Sequence, residues 1–436
     1  MLVYRMRNAL RALFGDDAPE GERTASGWEA RKALRLCHSL LTQRGEVSGT
    51  QIAEETLKLY RAMDAPTRAA FFDGLAAKFS PDPDAVGLAG EAYRADPSPK
   101  NLANLQAVVE PPRRELFRRL NTAEGATATL VDLRAQLFRG PEQWEPVADD
   151  LGHLFNAWFN RGFLSLRRID WSSPASILEK VIAHEAVHAI QGFPDLRRRL
   201  AADRRCYAFF HPALPEEPII FIEAALTTGM SDRVQPLLDL EAPVLDPRDA
   251  DTAIFYSITN CLDGLRGVPF GSFLIKQVVE DLRQNFPNLR RFATLSPVPG
   301  FAAWLKKHPR YPQFAEQLEL PDWFANPEVA DRLQDELVPL CGQYLLRARN
   351  GQEPRDSVAR FHLRNGAELE RIDWLGDVSP TGMRRSFGLM VNYVYRLADI
   401  ERNHERYTEE FKIAAAPSIR SMVRNLESRL AESKAS

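Results

Sequence analysis

The chain has 436 residues, 44% of them hydrophobic and 26% charged, the composition of an ordinary soluble globular protein long enough for two or three domains. Its formal charge of −3 argues against a nucleic-acid binder, which carries a basic face, but leaves room for a local basic pocket holding a phosphorylated ligand. No apolar run reaches the roughly 18 residues that span a bilayer, and Cys37, Cys206, Cys261 and Cys341 stand apart without a C-x-x-C pair, so neither a disulfide scaffold nor a zinc knuckle is expected and a reducing cytoplasm is.

Residues 1–14 are basic and amphipathic, and because Asp16, Asp17 and Glu20 follow at once they read as a first surface helix and not as a transit peptide. The pattern stays helical to about residue 155. Ser48 and Gln51 form a capping box ahead of a helix with Ile52, Leu59, Tyr60 and Met63 on its apolar face. Ser98-Pro99 supplies an N-cap followed by proline at the first helical position, and Pro111-Pro112 separates that helix from one over 115–120. The pairs Arg113-Arg114 and Arg118-Arg119 read as solvated faces. Residues 1–155 thus predict a helical scaffold or oligomerisation domain without chemistry of its own, through which copies of the chain would associate.

After Trp158 the character changes, and residues 156–436 predict a mixed second domain. Ser173-Pro174 opens a helix running to about residue 190, and strands are expected over 206–210, 218–224, 252–258, 291–295, 358–363 and 389–395. The stretch 252–307 reads as one βαβ unit. A strand leads into the loop Arg266, Gly267, Val268, Pro269, Phe270, Gly271 and Ser272. An amphipathic helix with Leu274, Ile275, Val278, Val279 and Leu282 on one face follows, then a second strand ending at Ser296-Pro-Val-Pro-Gly300 and a short helix over 301–307.

A strand feeding a helix through a glycine loop presents free backbone N–H groups and the positive end of the helix dipole, which suits phosphate. The loop resembles the acetyltransferase pyrophosphate loop, with Arg266 and Gly271 in place and Pro269, which has no N–H to donate, at the first motif glycine. His184-Glu185-Ala-Val-His188 matches His-Glu-x-x-His, which on a helix sets two imidazoles one turn apart beside a glutamate base. A catalytic zinc needs a third protein ligand, however, and Glu216 and Glu217 lie beside prolines beyond a strand. The bland reading is a packed helix face of Ile177, Val181, His184 and His188. Ser296 stands at the C-terminal end of a strand, where open α/β sheets carry chemistry, yet without the Gly-x-Ser-x-Gly elbow. His362 alternates with apolar neighbours on an expected strand, where a lone histidine is most often structural.

Several longer motifs stand together in order: Arg205-Cys-Tyr, Glu217-Pro218, Thr252-Ala-Ile-Phe-Tyr-Ser-Ile258, Leu295-Ser-Pro-Val-Pro-Gly-Phe301, Ala359-Arg-Phe-His-Leu-Arg-Asn-Gly-Ala367 and Gly388-Leu-Met-Val-Asn-Tyr393. On these the chain resembles the malonyl-CoA decarboxylase family from about residue 162 to 395, and more loosely through Arg118-Arg-Leu-Asn121 and Gly125-Ala-Thr127. The resemblance implies an α+β protein, a helical-bundle domain followed by an acetyltransferase-like (GNAT-like) α/β catalytic domain. It matches the family's catalytic serine to Ser296, its catalytic histidine to His362 and its malonyl-CoA-binding loop to residues 266–272, and it implies no metal. The implied reaction releases carbon dioxide from malonyl-CoA and leaves acetyl-CoA. Since the thioester is its own electron sink, no cofactor is needed. Asn392 and Tyr393 are candidates for supporting that pair, and His362 is the expected proton donor. Rival readings are an acyl-CoA-dependent acyltransferase of the GNAT type and a zinc peptidase built on the His184–His188 motif.

Overall fold

The computed structural model describes residues 25–268, 270 and 274–435. The expected helix over 1–14 and the loop residues Pro269, Gly271 and Ser272 lie outside them. The chain divides into two compact units, one of residues up to Phe159 together with Leu262–Val268, the other of Asn160–Cys261 and Pro269 onward.

The first unit is helical throughout its described length, from Ala25–Thr42 to Glu145–Trp158. Ser98 caps the Pro99–Val109 helix as expected, its hydroxyl accepting from Asn101 N at 3.4 Å. The capping box at Ser48 does not form. That helix already begins at Glu46, with Gly45 at the N-cap and no side-chain cap, so the acidic Glu46 beside the dipole's positive end stands in for it. Arg113 and Arg114 are not a solvated face either. Asp150 is buried, and both guanidiniums turn inward to it, Arg113 Nε to one carboxylate oxygen and Arg114 Nε to the other at 2.6 Å. A buried carboxylate without such partners would be costly.

The second unit is built on an eight-stranded sheet in the order β1-β2-β3-β4-β5-β10-β6, with β9 also on β10. The strands are β1 (Ser165–Ile169), β2 (Arg204–Phe210), β3 (Ile220–Thr227), β4 (Thr252–Asn260), β5 (Arg291–Thr294), β6 (Ser296–Pro297), β9 (Glu368–Asp373) and β10 (Met390–Val394); β7 (Arg349–Asn350) and β8 (Glu353–Pro354) form a separate hairpin. Strands β2 and β3 are buried on both faces, which is why they read as continuous apolar runs. β1 to β4 run antiparallel, and β4 and β5 are parallel, paired from Thr252↔Arg291 to Phe255↔Thr294. Beyond that point β4 continues to Asn260 while β5 ends, so the two strands part. A bulge in β4 at Tyr256, between Ala224↔Phe255 and Glu223↔Ser257, falls at the parting. The expected βαβ unit is present, its Leu274–Asn285 helix burying Leu274, Ile275, Val278, Val279 and Leu282. Among the described residues no helix is long and apolar enough to cross a membrane.

Two expectations fail here. Residues 358–363 are not a strand but part of the helix Ser357–Arg364. Asp356 caps it, accepting from Val358 N and Ala359 N at 3.0 Å each, and the buried positions Ala359, His362 and Leu363 have helical spacing. The helix expected to reach residue 190 stops at His184. Glu185 is extended, and its carboxylate accepts from the backbone N–H groups of Val187 and His188 at 2.7 and 2.8 Å, a local alternative to another helical turn.

Candidate active site

Thr294 closes β5, and Ser296 follows two residues later, pairing with Val391 of β10. Alternation along an extended strand therefore turns both hydroxyls to the same side. The Ser357–Arg364 helix brings His362 to that side, and Tyr393 and Tyr395, again two residues apart, come from β10 and its continuation. Ser296 Oγ lies 2.9 Å from His362 Nε2 and 2.8 Å from Thr294 Oγ1. His362 Nδ1 lies 2.8 Å from the Tyr395 hydroxyl, and the Tyr393 ring stacks on the imidazole at 4.7 Å between centroids. Every one of these side chains is buried.

Burial fixes the protonation states. It pushes the His362 imidazole down to about 3, so the ring is neutral near neutral pH. It pushes the Tyr395 phenol well above its ordinary range, so that hydroxyl keeps its proton. The Ser296 hydroxyl donates to Thr294 Oγ1, which also accepts from Tyr393 N at 3.1 Å. The tautomer consistent with that donation carries its hydrogen on Nε2, toward Ser296 Oγ, and accepts from the Tyr395 O–H at Nδ1. The chain Tyr395→His362→Ser296→Thr294 points every proton toward the serine end. It is the opposite polarity to a serine handing its proton to histidine.

Asp356 ties together the segments that carry Ser296 and His362. One oxygen caps the helix carrying His362; the other lies 3.4 Å from Gly300 N, in the turn that follows Ser296, and 3.4 Å from the Tyr344 hydroxyl. A Cβ at Gly300 would meet that hydroxyl at 2.2 Å, so any side chain there would push the Tyr344 hydroxyl away from Asp356. Asn392 serves differently from Tyr393: its amide donates to Thr294 O at 2.7 Å and Ser231 O at 3.1 Å, holding the end of β5 in place. Sequence reasoning missed Thr294, Asp356 and Tyr395. The spacing of two residues from Ser296 and from Tyr393 was the available signal for the first and last.

Of the expected binding loop, Arg266, Gly267 and Val268 group with the helical unit and not with the sheet. Arg134 donates to Gly264 O at 2.8 Å and to Arg266 O at 3.0 Å, and the Arg266 guanidinium lies 4.3 Å from the Phe138 ring centre. Gly267 has φ +81°, and nothing stands within 4 Å of where its Cβ would be, so the backbone is open there. Val268 and Phe270 are buried.

The His184–His188 segment has another task. Glu185, already holding two backbone N–H groups, accepts the Ser257 hydroxyl at 2.6 Å. His188 O accepts from Arg199 at 2.7 Å, and Arg199 pairs with Asp195 at 2.9 Å and with Glu223 of β3 at 2.8 Å. With the helix ended at His184, the two imidazoles are not one turn apart, and the glutamate is fully engaged as an anchor to the sheet.

A sheet whose central parallel strands part beside a buried Ser–His pair defines an acetyltransferase-like catalytic unit. The family model "Malonyl-CoA decarboxylase C-terminal domain" matches residues 162–433, and "Malonyl-CoA decarboxylase N-terminal domain" matches residues 79–159. The chain belongs to the malonyl-CoA decarboxylase family. A curated relative, the mitochondrial malonyl-CoA decarboxylase of Anser anser anser, is 35% identical over 418 residues, 85% of this chain and 82% of that one. The crystal structure of malonyl-CoA decarboxylase from Rhodopseudomonas palustris is 48% identical with a TM-score of 0.86, covering 90% of this chain and 99% of that one. That from Agrobacterium vitis is 46% identical, with a TM-score of 0.84 and the same coverage.

Proposed function

We propose that this chain decarboxylates malonyl-CoA to acetyl-CoA and carbon dioxide with Ser296 and His362 as its catalytic residues. The observation that carries the reading is the unbroken run of buried hydrogen bonds from Tyr395 through His362 and Ser296 to Thr294, along which protons can pass to the serine hydroxyl. The bond between the methylene and carboxylate carbons breaks, its electron pair enters the thioester as an enolate, and carbon dioxide departs. The enolate carbon then takes a proton. Ser296 turns its O–H from Thr294 to the substrate. As it gives that proton up, Nε2–H of His362 replaces it and Tyr395 O–H replaces the proton lost from the ring. A thioester enolate is a far stronger base than a phenolate, so the relay runs downhill before solvent restores the tyrosine. A buried, low-dielectric surrounding strengthens each of these hydrogen bonds and disfavours the ionised carboxylate relative to neutral carbon dioxide.

Residues 266–272 hold the CoA phosphates in this reading, with Gly267 giving close backbone approach and Arg266 charge. The four buried, unpaired cysteines suit a reducing compartment such as the cytoplasm. Copies of the chain associate through the helical unit, where Leu88, Leu102 and Val109 are exposed. The test is purified chain with malonyl-CoA and no additive: acetyl-CoA and carbon dioxide should appear in equal amounts. Turnover only when an acyl acceptor is added would overturn the proposal in favour of an acyltransferase.

A further inference from the structure

A cavity of about 720 Å³ opens on the sheet unit at the start of β5, the opposite end of that strand from Ser296. Its floor is apolar, with Leu289, Phe292, Val394 and Tyr395 all buried. Its rim carries four arginines, Arg283, Arg290, Arg291 and Arg396, against one carboxylate, Glu370. Arg396 is held by Glu368 and Glu370. Among the described residues the exposed side chains of Arg283, Arg290 and Arg291 make no ion pair or hydrogen bond, so their guanidiniums are available at the rim. Asp251, which feels both Arg290 and Arg291, is already bound by Gly229 N and the Thr252 hydroxyl. In a chain of net charge −3, three such guanidiniums around one apolar hollow are a local feature and not general basicity.

The floor also touches the catalytic relay. Tyr395 N–H donates to Phe292 O at 2.8 Å, and the Tyr395 hydroxyl donates to His362 Nδ1 at 2.8 Å. A ligand pressing on Phe292 and Tyr395 bears on the residue that sets the histidine tautomer.

We propose that this cavity is a second binding site, for an anion with an apolar body, and that its occupant acts on the Ser296–His362 pair through Tyr395. A nucleoside phosphate and a fatty carboxylate share that chemistry, so ADP and octanoate are the probes. The binding half stands without the proposed decarboxylation; the coupling half rests on it.

Calorimetry on the full chain, with excess acetyl-CoA filling the thioester site, should show saturable binding of one probe. The Arg290→Gln/Arg291→Gln variant, whose exposed positions leave folding intact, should weaken it about tenfold for each charge-assisted hydrogen bond to the probe that it removes. No saturable binding of either probe, or equal affinity in the variant, overturns the site even if malonyl-CoA turnover is absent. Occupancy should then change wild-type kcat about fivefold or more. Tyr395→Phe, slower at the outset, should bind the probe with wild-type affinity and show no further change. An equal response in both proteins overturns the coupling.

Discussion

The Tyr395 hydroxyl meets Nδ1 of His362 at 2.8 Å, and as a donor there it leaves the ring hydrogen on Nε2, the nitrogen 2.9 Å from Ser296 Oγ. Tyr395→Phe keeps the ring and its edge-on packing against Phe255 but removes the donor. Nδ1 then becomes an unpaired buried acceptor, and the relay loses its far end. A fall in kcat of about 100-fold, the lower end of general acid–base contributions, is expected with little change in acetyl-CoA affinity. A wild-type kcat in this variant would show that the tyrosine only fills space.

The two residues at the centre of the relay should fail in different ways. Ser296→Ala removes one oriented donor and should lower kcat by roughly 100- to 1,000-fold, about 2.7–4 kcal/mol. His362→Asn keeps a polar group of similar reach but cannot pass a proton on, and about 100- to 10,000-fold is expected. Acetyl-CoA binding, measured by calorimetry, should survive in both. A lost kcat together with lost binding would instead make them part of the binding surface.

The pH dependence follows from the buried imidazole. Its pKa in the fold is about 3, below the ordinary value of 6.5, so between those values the unfolded chain binds the extra proton. Stability is therefore fully present above about pH 6.5 and is lost as pH falls toward 3. Urea midpoints of the wild type should fall more steeply over that window than those of His362→Asn. His188, lowered to about 4 by its own burial, contributes equally to both proteins and cancels in the comparison. Consistently, kcat should show no histidine-like step between pH 6 and 8. A step there that His362→Asn abolishes would mean that the imidazole titrates in the exposed manner.

Much of this was legible beforehand, and the reasons are local. The run 252–258 and the face of Leu274, Ile275, Val278, Val279 and Leu282 carry strand and helix periods that the tertiary structure keeps. Ser296 and His362 were singled out through motif order, not through spacing, since 66 positions separate them and only the packing of the Ser357–Arg364 helix beside the sheet makes them neighbours. Residues 358–363 misled because a helix with Arg360 half-buried and Arg364 exposed also looks like alternation over so short a span. Arg113 misled because its partner Asp150 lies 37 positions away. Tyr395 was invisible as a functional residue: a buried tyrosine is ordinary until the group at its hydroxyl is known.

The His184–His188 segment offers a test in which stability and activity separate. His184→Ala, or treatment with a chelator, should leave turnover of malonyl-CoA intact. Glu185→Ala leaves the backbone N–H groups of Val187 and His188 without their acceptor and the Ser257 hydroxyl with only Thr259 Oγ1, at 3.2 Å. Each buried orphan costs about 1–3 kcal/mol, so a clearly lowered urea midpoint is expected. The reverse pattern, chelator-sensitive turnover with an unaffected Glu185→Ala fold, would revive the peptidase reading.

Asp356 should control the rate without touching the substrate. Its carboxylate serves both the helix bearing His362 and the turn after Ser296, through Val358 N and Ala359 N on one oxygen and Gly300 N on the other. Removing it by Asp356→Ala costs the helix its N-cap, about 1 kcal/mol, and leaves Gly300 N–H unanswered. The larger consequence is geometric. The Ser296 Oγ to His362 Nε2 distance of 2.9 Å joins the two segments that this one carboxylate clamps. Asp356→Asn keeps an acceptor for the cap while weakening the bond to Gly300, so it should recover most of the stability and only part of the rate. Burial raises the Asp356 pKa, so its carboxyl adds stability that declines as pH rises through the raised value, a slope that Asp356→Asn should lack. Thermal midpoints, kcat and KM for the three proteins decide the matter. The expected order in kcat is wild type, Asp356→Asn, Asp356→Ala, with KM for malonyl-CoA nearly constant; a kcat in Asp356→Ala equal to that of the wild type would reduce the residue to an ordinary helix cap.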